Sequence, residues 1–237
     1  TWLDQPVGKR WLDVGCGTGA LSAAILDHCA PSSVVGVEPS EGFRALAVQH
    51  LGGKANYLAV DASALPLDRG ACDVVVSGLV LNFVPALPAA FAEMRRVTAN
   101  GGTIAAYVWD YADGMEIIRY FWDVAASLDS AAARLHEGTR FPVCAPSALK
   151  ATFEHAGLAE VETAPLDVAA EFADFDDYWR PFLGGQGPAP AYAMSLPDEQ
   201  RAALKAKLKS ALPQATDGAI ALRARAWAVR GTTRSDA

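Results

Sequence analysis

The chain has 237 residues, 51% of them hydrophobic and 20% charged, with a net charge of −7. That is room for one large α/β domain, or one domain with an appended lid, of ordinary globular composition. No apolar run reaches the roughly 18 residues of a membrane span. Basic residues cluster only at Lys205, Lys207 and Lys209 and at Arg223, Arg225 and Arg230, so the footprint of a nucleic-acid binder is lacking.

In chain order, residues 10–14 read as a buried strand. The glycine-rich turn Gly15-Cys16-Gly17-Thr18-Gly19 follows, and then a helix over 20–29. Residues 34–37 are a second strand ending in Glu38, and Ser40 can cap a helix over 41–51. Residues 56–60 form a third strand ending in Asp61, and 72–77 a fourth, β-branched and buried on both faces. Residues 88–97 are helical, with Phe91, Met94 and Val97 on one face and Glu93, Arg95 and Arg96 on the others. Asn100-Gly101-Gly102 is a turn, and 103–108 a fifth strand. Such alternation predicts a parallel sheet with helices on both faces. Right-handed crossovers put the strand ends, and so any ligand, at one edge. Gly15–Gly19, Glu38, Asp61, Ser77 and Trp109 all follow strand ends.

The second half is less regular. Residues 114–128 are helical, with Ile117, Ile118, Phe121, Trp122 and Ala125 as the apolar stripe. Residues 138–143 are a loop, Ser147 caps a helix to His155, and 160–165 are a sixth strand. The acids Asp174–Asp177 suit a helix N-terminus better than a metal site. Residues 184–190 are an irregular loop, 197–212 a charged helix, and 219–229 alternate well enough for a last strand.

Two ligands fit the glycine turn. A dinucleotide site uses G-x-G-x-x-G/A, and Gly15-Cys16-Gly17-Thr18-Gly19-Ala20 satisfies it. An acid some 20 residues on serves a ribose in both cases, and Glu38 is placed for that. Asp13, two residues before the first glycine, tips the balance. A carboxylate there would repel a pyrophosphate but suits the ammonium and sulfonium of S-adenosylmethionine, whose carboxylate can face the helix N-terminus. Like against opposite charge at contact is worth about 4 kcal/mol at an effective dielectric near 20.

Over residues 10–109 the chain resembles the Rossmann-like, S-adenosylmethionine-dependent methyltransferases, within the broad group that includes the ubiquinone/menaquinone C-methyltransferases. The resemblance rests on Leu12-Asp13-Val14-Gly15-Cys16-Gly17-Thr18-Gly19, Gly36-Val37-Glu38-Pro39-Ser40, Asp61-Ala62 with Leu65-Pro66, Asp73-Val74-Val75-Val76-Ser77, and Glu93-Met94-Arg95-Arg96-Val97 with Gly101-Gly102. It implies a seven-stranded, mostly parallel sheet with an antiparallel last strand, the 219–229 segment, paired with the sixth.

It also implies roles. Gly15, Gly17 and Gly19 let backbone approach the cofactor, with Cys16 among them. Asp13 helps hold the methionine end. Glu38 accepts from the ribose hydroxyls, with Pro39 and Ser40 shaping that wall. Asp61 accepts from the adenine amine, with Ala62 beside it. Ser77, Gly78 and Leu79 border the sulfur.

The expected protein is a single methyltransferase domain over 1–237. Residues 1–109 form the cofactor-binding half, and 110–146 and 172–216 the helical, substrate-side insertions. Acceptor-side candidates are Asn82, Phe83, Trp109, Asp110, Tyr111, Tyr178, Trp179 and Arg180, an aromatic set that suits a small flat or apolar metabolite. No catalytic residue is singled out, because a base matters only if the acceptor carries a proton of high pKa. Cys16 reads as a small spacer. The cysteines Cys16, Cys29, Cys72 and Cys144 form no C-x-x-C pair and are expected to be reduced, with no metal bound. The start of the chain shows no signal peptide, so a cytoplasmic location is expected. The rival readings are a nicotinamide-dependent oxidoreductase and a non-catalytic cofactor-binding protein of the same fold.

Overall fold

The computed structural model describes residues 2–184 and 187–234. Strand β1 (Arg10–Val14) leads through the glycine turn into α1 (Ala20–His28). Then come β2 (Ser33–Val37), α2 (Glu41–Leu51), β3 (Asn56–Leu58), β4 (Cys72–Gly78), α3 (Leu87–Val97) and β5 (Thr98–Trp109). The remaining elements are α4 (Glu116–Leu128), α5 (Glu137–Arg140), α6 (Pro146–His155), β6 (Ala159–Phe172), α7 (Phe175–Trp179), α8 (Pro188–Ser195), α9 (Asp198–Ala211) and β7 (Ile220–Thr232).

Among the described residues, seven strands form one sheet in the order β3-β2-β1-β4-β5-β7-β6. The first five strands are parallel. The last two run as the expected antiparallel pair. Gly101 N–H donates to the Thr233 carbonyl while Asp110 N–H donates to that of Arg225, so β7 descends as β5 rises. Arg230 meets Glu162, and further along Arg225 meets Asp167, in the same descending order against β6. In β7, Ile220, Leu222, Ala224, Ala226 and Ala228 are buried at every second position, which is the alternation read from the sequence.

By contacts the chain divides into two compact units. The first comprises residues 1–108, 146–164 and 228–237, and the second residues 109–145 and 165–227. In the first, Trp11, Ile25, Val34, Val74, Val76 and Ala105 form a buried cluster on one face of the sheet. In the second, Phe121 and Trp122 of α4 pack with Phe175, Tyr178, Trp179 and Phe182, closed by Leu204 and Leu208 of α9. Each large side chain so buried contributes about 1.5–3 kcal/mol. Among the described residues no helix is long and apolar enough to cross a membrane.

Five expectations need correction. The turn at 100–102 is a bulge inside β5: Thr98 pairs with Cys72 and Thr103 with Val74, so the extra residues loop out, with Gly101 at φ 71°. The loop at 138–143 is helical, because His136 Nδ1 accepts from Gly138 N–H and opens α5, and a 3-10 turn, Pro142–Cys144, follows. Ser147 does not cap α6, which starts at Pro146, where a proline costs no hydrogen bond. The sixth strand runs on to Phe172. Within 184–190, the residues from Pro188 onward start α8, its prolines in the first turn, where their missing N–H groups cost nothing. Gly185 and Gln186 of that segment lie outside the described residues.

Candidate functional site

The glycine turn is fixed from below. Gly15 and Cys16 N–H both donate to the Val37 carbonyl, at 2.8 and 3.1 Å, which ties the turn to the end of β2. The three glycines have positive φ but do different things. A Cβ on Gly15 would strike Val80, and one on Gly19 would press on Leu51, Ala47 and Tyr57. A Cβ on Gly17 would meet nothing within 4 Å. Gly17 therefore presents bare backbone to open space. Helix α1 begins at Gly19 with no side-chain cap and no acid in its first turn, so its N–H groups favour an anion from outside.

Glu38 stands at the end of β2, largely buried. Its Oε2 accepts from Gly17 N–H at 3.1 Å and its Oε1 from Ser40 N–H at 2.9 Å. The carboxylate thus ties the open glycine to the N-cap of α2. Each oxygen keeps a further lone pair for another donor. Pro39 and Ser40 are exposed beside it, and the Ser40 side chain caps α2 by accepting from Phe43 N–H.

Asp13 lies underneath the turn, fully buried. Ser22 Oγ of α1 donates to its Oδ2 at 2.7 Å, while Oδ1 is buried without a partner. Burial pushes its carboxyl up to about 6, with Ser22 opposing and Glu38 adding to the rise. Asp13 is thus sealed beneath the turn, with one carboxylate oxygen uncompensated. Cys16 is buried too. Burial pushes its thiol up to about 12, so it is the expected spacer and no nucleophile.

Asp61 is exposed after β3, and its Oδ1 accepts from both N–H and Oγ of Ser63. These bonds lower its pKa and leave its other oxygen for a further donor. Ala62 is half-buried. Ser77 is fully buried and donates to the Val14 carbonyl at 2.9 Å, so its hydroxyl locks β4 to β1 and does not line an open wall. Gly78 lies beneath the Tyr107 hydroxyl, and Leu79 holds φ 61°, a strained value for a branched side chain where the strand breaks off. Asn82 is half-buried, its Nδ2 buried without a partner, while Phe83 is largely exposed.

Acceptor candidates in the second unit fare unevenly. Trp109 is half-buried, Asp110 is buried with Oδ1 accepting from Asp113 N–H, and the Tyr111 ring lies 5.9 Å from that of Phe141. Tyr178 and Trp179 are corrected: both are sealed in the core of the second unit, and Tyr178 spends its hydroxyl on the Ile117 carbonyl. Arg180 is exposed and pairs with Asp177.

Three features escaped the sequence. Tyr57 and Tyr107 lie across Gly36 and Gly78, and the charge of Asp13 reaches both hydroxyls. The third is a latch on α3. Glu93 accepts from Leu65 N–H and pairs with Arg96, which also donates to the carbonyls of Leu65 and Leu67. The signal for the latch, Glu and Arg three apart on a helix, was visible, but its target loop was not.

Residues 12–106 match the family model described as "Methyltransferase domain". A malonyl-[acyl-carrier protein] O-methyltransferase of Geobacter sulfurreducens is 39% identical over 98 residues, covering 40% of this chain and 37% of that protein. A demethylmenaquinone methyltransferase of Roseiflexus castenholzii is 35% identical over 101 residues, 42% of each. The chain thus spans about two fifths of the length of these relatives. A Haemonchus contortus phosphoethanolamine N-methyltransferase, solved with S-adenosyl-L-methionine, superposes with a TM-score of 0.59 at 14% identity, covering 98% of this chain and 50% of that one. Residues 12–106, all within the first unit, are thus similar to the methyltransferase domain family.

Proposed function

We propose that this protein is an S-adenosylmethionine-dependent methyltransferase acting on a small, flat or apolar metabolite. The carrying observation is the pairing of Glu38 with Gly17: a carboxylate with free lone pairs beside bare backbone that no Cβ obstructs. The residues fit the cofactor. Gly17 offers the cradle, the uncapped start of α1 suits the methionine carboxylate, and the orphaned oxygen of Asp13 supplies a negative charge for the ammonium group. Glu38 would take the ribose hydroxyls, with Pro39 and Ser40 beside it. Asp61 would take the adenine amine through its free oxygen, with Ala62 alongside. Gly78 and Leu79, at the break of β4, remain the candidates near the sulfur.

The bound cofactor supplies a methyl group already activated on a sulfonium. The chain's task is then to hold the acceptor atom in line, about 3–3.5 Å behind that methyl, and to keep water away. Residues 110–146 and 172–216 are our candidates for selecting the acceptor. With Tyr178 and Trp179 in the core, Tyr111 is the aromatic candidate left within those segments; Asn82 and Phe83, after β4, and Trp109, at the end of β5, are proposed separately. The acceptors named for the two relatives, a malonyl carrier protein and a demethylmenaquinone, have little in common, so a panel pairing a naphthoquinol with a malonyl thioester is the informative screen.

Calorimetry with S-adenosylhomocysteine and with NAD tests the reading. Tight NAD binding without a response to S-adenosylhomocysteine would give the site to an oxidoreductase, and binding without turnover on any acceptor would favour a non-catalytic protein. Glu38→Ala is expected to weaken S-adenosylhomocysteine by about 2 kcal/mol. Glu38→Gln should not restore it, since its amide would face a backbone N–H of Gly17 or Ser40, donor against donor.

A further inference from the structure

Five elements of the first unit meet around one carboxylate. Asp13 of β1 is in register with Gly36 of β2 and Val76 of β4, and Gly36 is in register with Tyr57 of β3. In parallel strands such partners share a face. Because Gly36 has no side chain, the Tyr57 ring lies across it, 2.6 Å from where a Cβ would stand, and the Tyr57 hydroxyl reaches under Gly19. From the other side, Tyr107 of β5 lies in the same way across Gly78. The charge of Asp13 reaches both hydroxyls and raises their pKa, though burial is the larger cause in each. From α1, Ser22 Oγ donates to Asp13 Oδ2. The Tyr57 hydroxyl faces Ser22 without completing a hydrogen bond, so it is a buried polar atom without a partner, as is Asp13 Oδ1.

The groups that act on Asp13 are Ser22 and Glu38, and Asp13 in turn raises the Cys16, Tyr57 and Tyr107 groups around it. Among them there is no cation. A buried carboxylate surrounded by hydroxyls and another acid, with one oxygen unspent, is poorly compensated. Packing alone would favour an apolar residue in a row that already holds Val76 and Ala105.

We propose that Tyr57 and Ser22 are positioning residues for Asp13, holding its carboxylate under the glycine turn where the cofactor's ammonium group and a proton compete for its charge. This rests on the methyltransferase reading above. Contact is not required: a positive charge seated on the turn favours the ionised carboxylate from a few ångströms away. Binding then expels the proton from Asp13, and the ammonium group keeps its own. The Ser22 hydroxyl, donating to Asp13 Oδ2, supports the ionised form, and the Tyr57 hydroxyl beside it is the donor placed to reinforce Ser22.

The test is calorimetric and needs no acceptor. S-adenosylhomocysteine carries the ammonium group; 5′-methylthioadenosine shares its adenosine and thioether but lacks it. With the carboxyl near 6 in the empty protein, S-adenosylhomocysteine affinity is expected to fall about tenfold from pH 7 to pH 5. Methylthioadenosine affinity stays level, and S-adenosylhomocysteine alone releases a proton at pH 6, read as a dependence of the heat on buffer ionisation enthalpy. Tyr57→Phe is expected to move the midpoint up by about one pH unit, and Ser22→Ala does the same should Tyr57→Phe not fold. A level profile for S-adenosylhomocysteine, or a parallel fall for both probes, overturns the inference. An unmoved midpoint in both variants removes Tyr57 and Ser22 from it. No S-adenosylhomocysteine binding at pH 8 overturns the methyltransferase reading instead.

Discussion

Asp13 is held at a cost, and the cost has a sign. Its carboxyl titrates near 6 when folded, above the 3.8 of a free aspartate. A group raised by folding contributes stability below its unfolded pKa and loses it as pH climbs through the folded one. The protein therefore gives up stability at Asp13 between about pH 4 and pH 6. Asp13→Asn keeps an acceptor for Ser22 and is expected to stabilise the ligand-free protein by as much as about 3 kcal/mol at pH 8, with the gain vanishing near pH 4. Thermal melts at the two pH values check this; equal melting temperatures at pH 8 would mean that the site is better compensated than its bonds indicate. Sequence showed where Asp13, Glu38 and Asp61 stand, because strand ends and glycine spacing mark them. It did not show which way Asp13 faces. Whether a strand-end side chain lies above or below the turn depends on partners such as Ser22 and Tyr57, contributed by other elements. Tyr178 and Trp179 misled for a related reason: an aromatic-rich run looks the same whether it lines a wall or fills a core.

Among the elements, α3 does more than cover the sheet. Its apolar side, Phe91, Met94 and Val97, is buried as its 3.6-residue spacing foretold, while Glu93 and Arg96 reach out to clamp the segment after Asp61. Arg96 holds the Glu93 carboxyl down at about 2. A lowered acid contributes stability above its unfolded pKa and loses it as pH falls through the folded value, so the latch weakens from about pH 4.5 downward. Both side chains are partly exposed, which limits the pair itself. The bonds to the Leu65 and Leu67 carbonyls are what Arg96→Ala would chiefly lose, about 2 kcal/mol in chemical denaturation. An unchanged midpoint would make the latch decorative. Elements with a cap or a stripe were legible: α2 has Ser40, and α3 has its stripe of Phe91, Met94 and Val97. α8 was not, because proline and glycine read as loop unless the prolines are known to sit in a first turn. The length of β6 was not legible either. Edge strands need bury little, and its outer half shows almost no alternation to read.

At the scale of the molecule, the chain passes between its two units four times, at 108/109, 145/146, 164/165 and 227/228. The first unit is therefore finished only by the last strand. Ala228 and Val229 are buried there, Arg230 pairs with Glu162, and Thr233 closes on Gly102. A chain ended after Trp227 is expected to lose on the order of 5 kcal/mol, most of a small domain's stability. The buried Trp11 then loses its native fluorescence in the absence of denaturant. Native-like emission would show that β7 is dispensable to the first unit. The same four crossings bear on exchange of segments. Residues 12–106, which match the methyltransferase domain model, lie within the first unit. The second unit leaves after β5 and again midway along β6, so it consists of two excursions of the chain, each returning to the first unit. Recombination with a relative can exchange these excursions without breaking the first unit only by cutting at all four points.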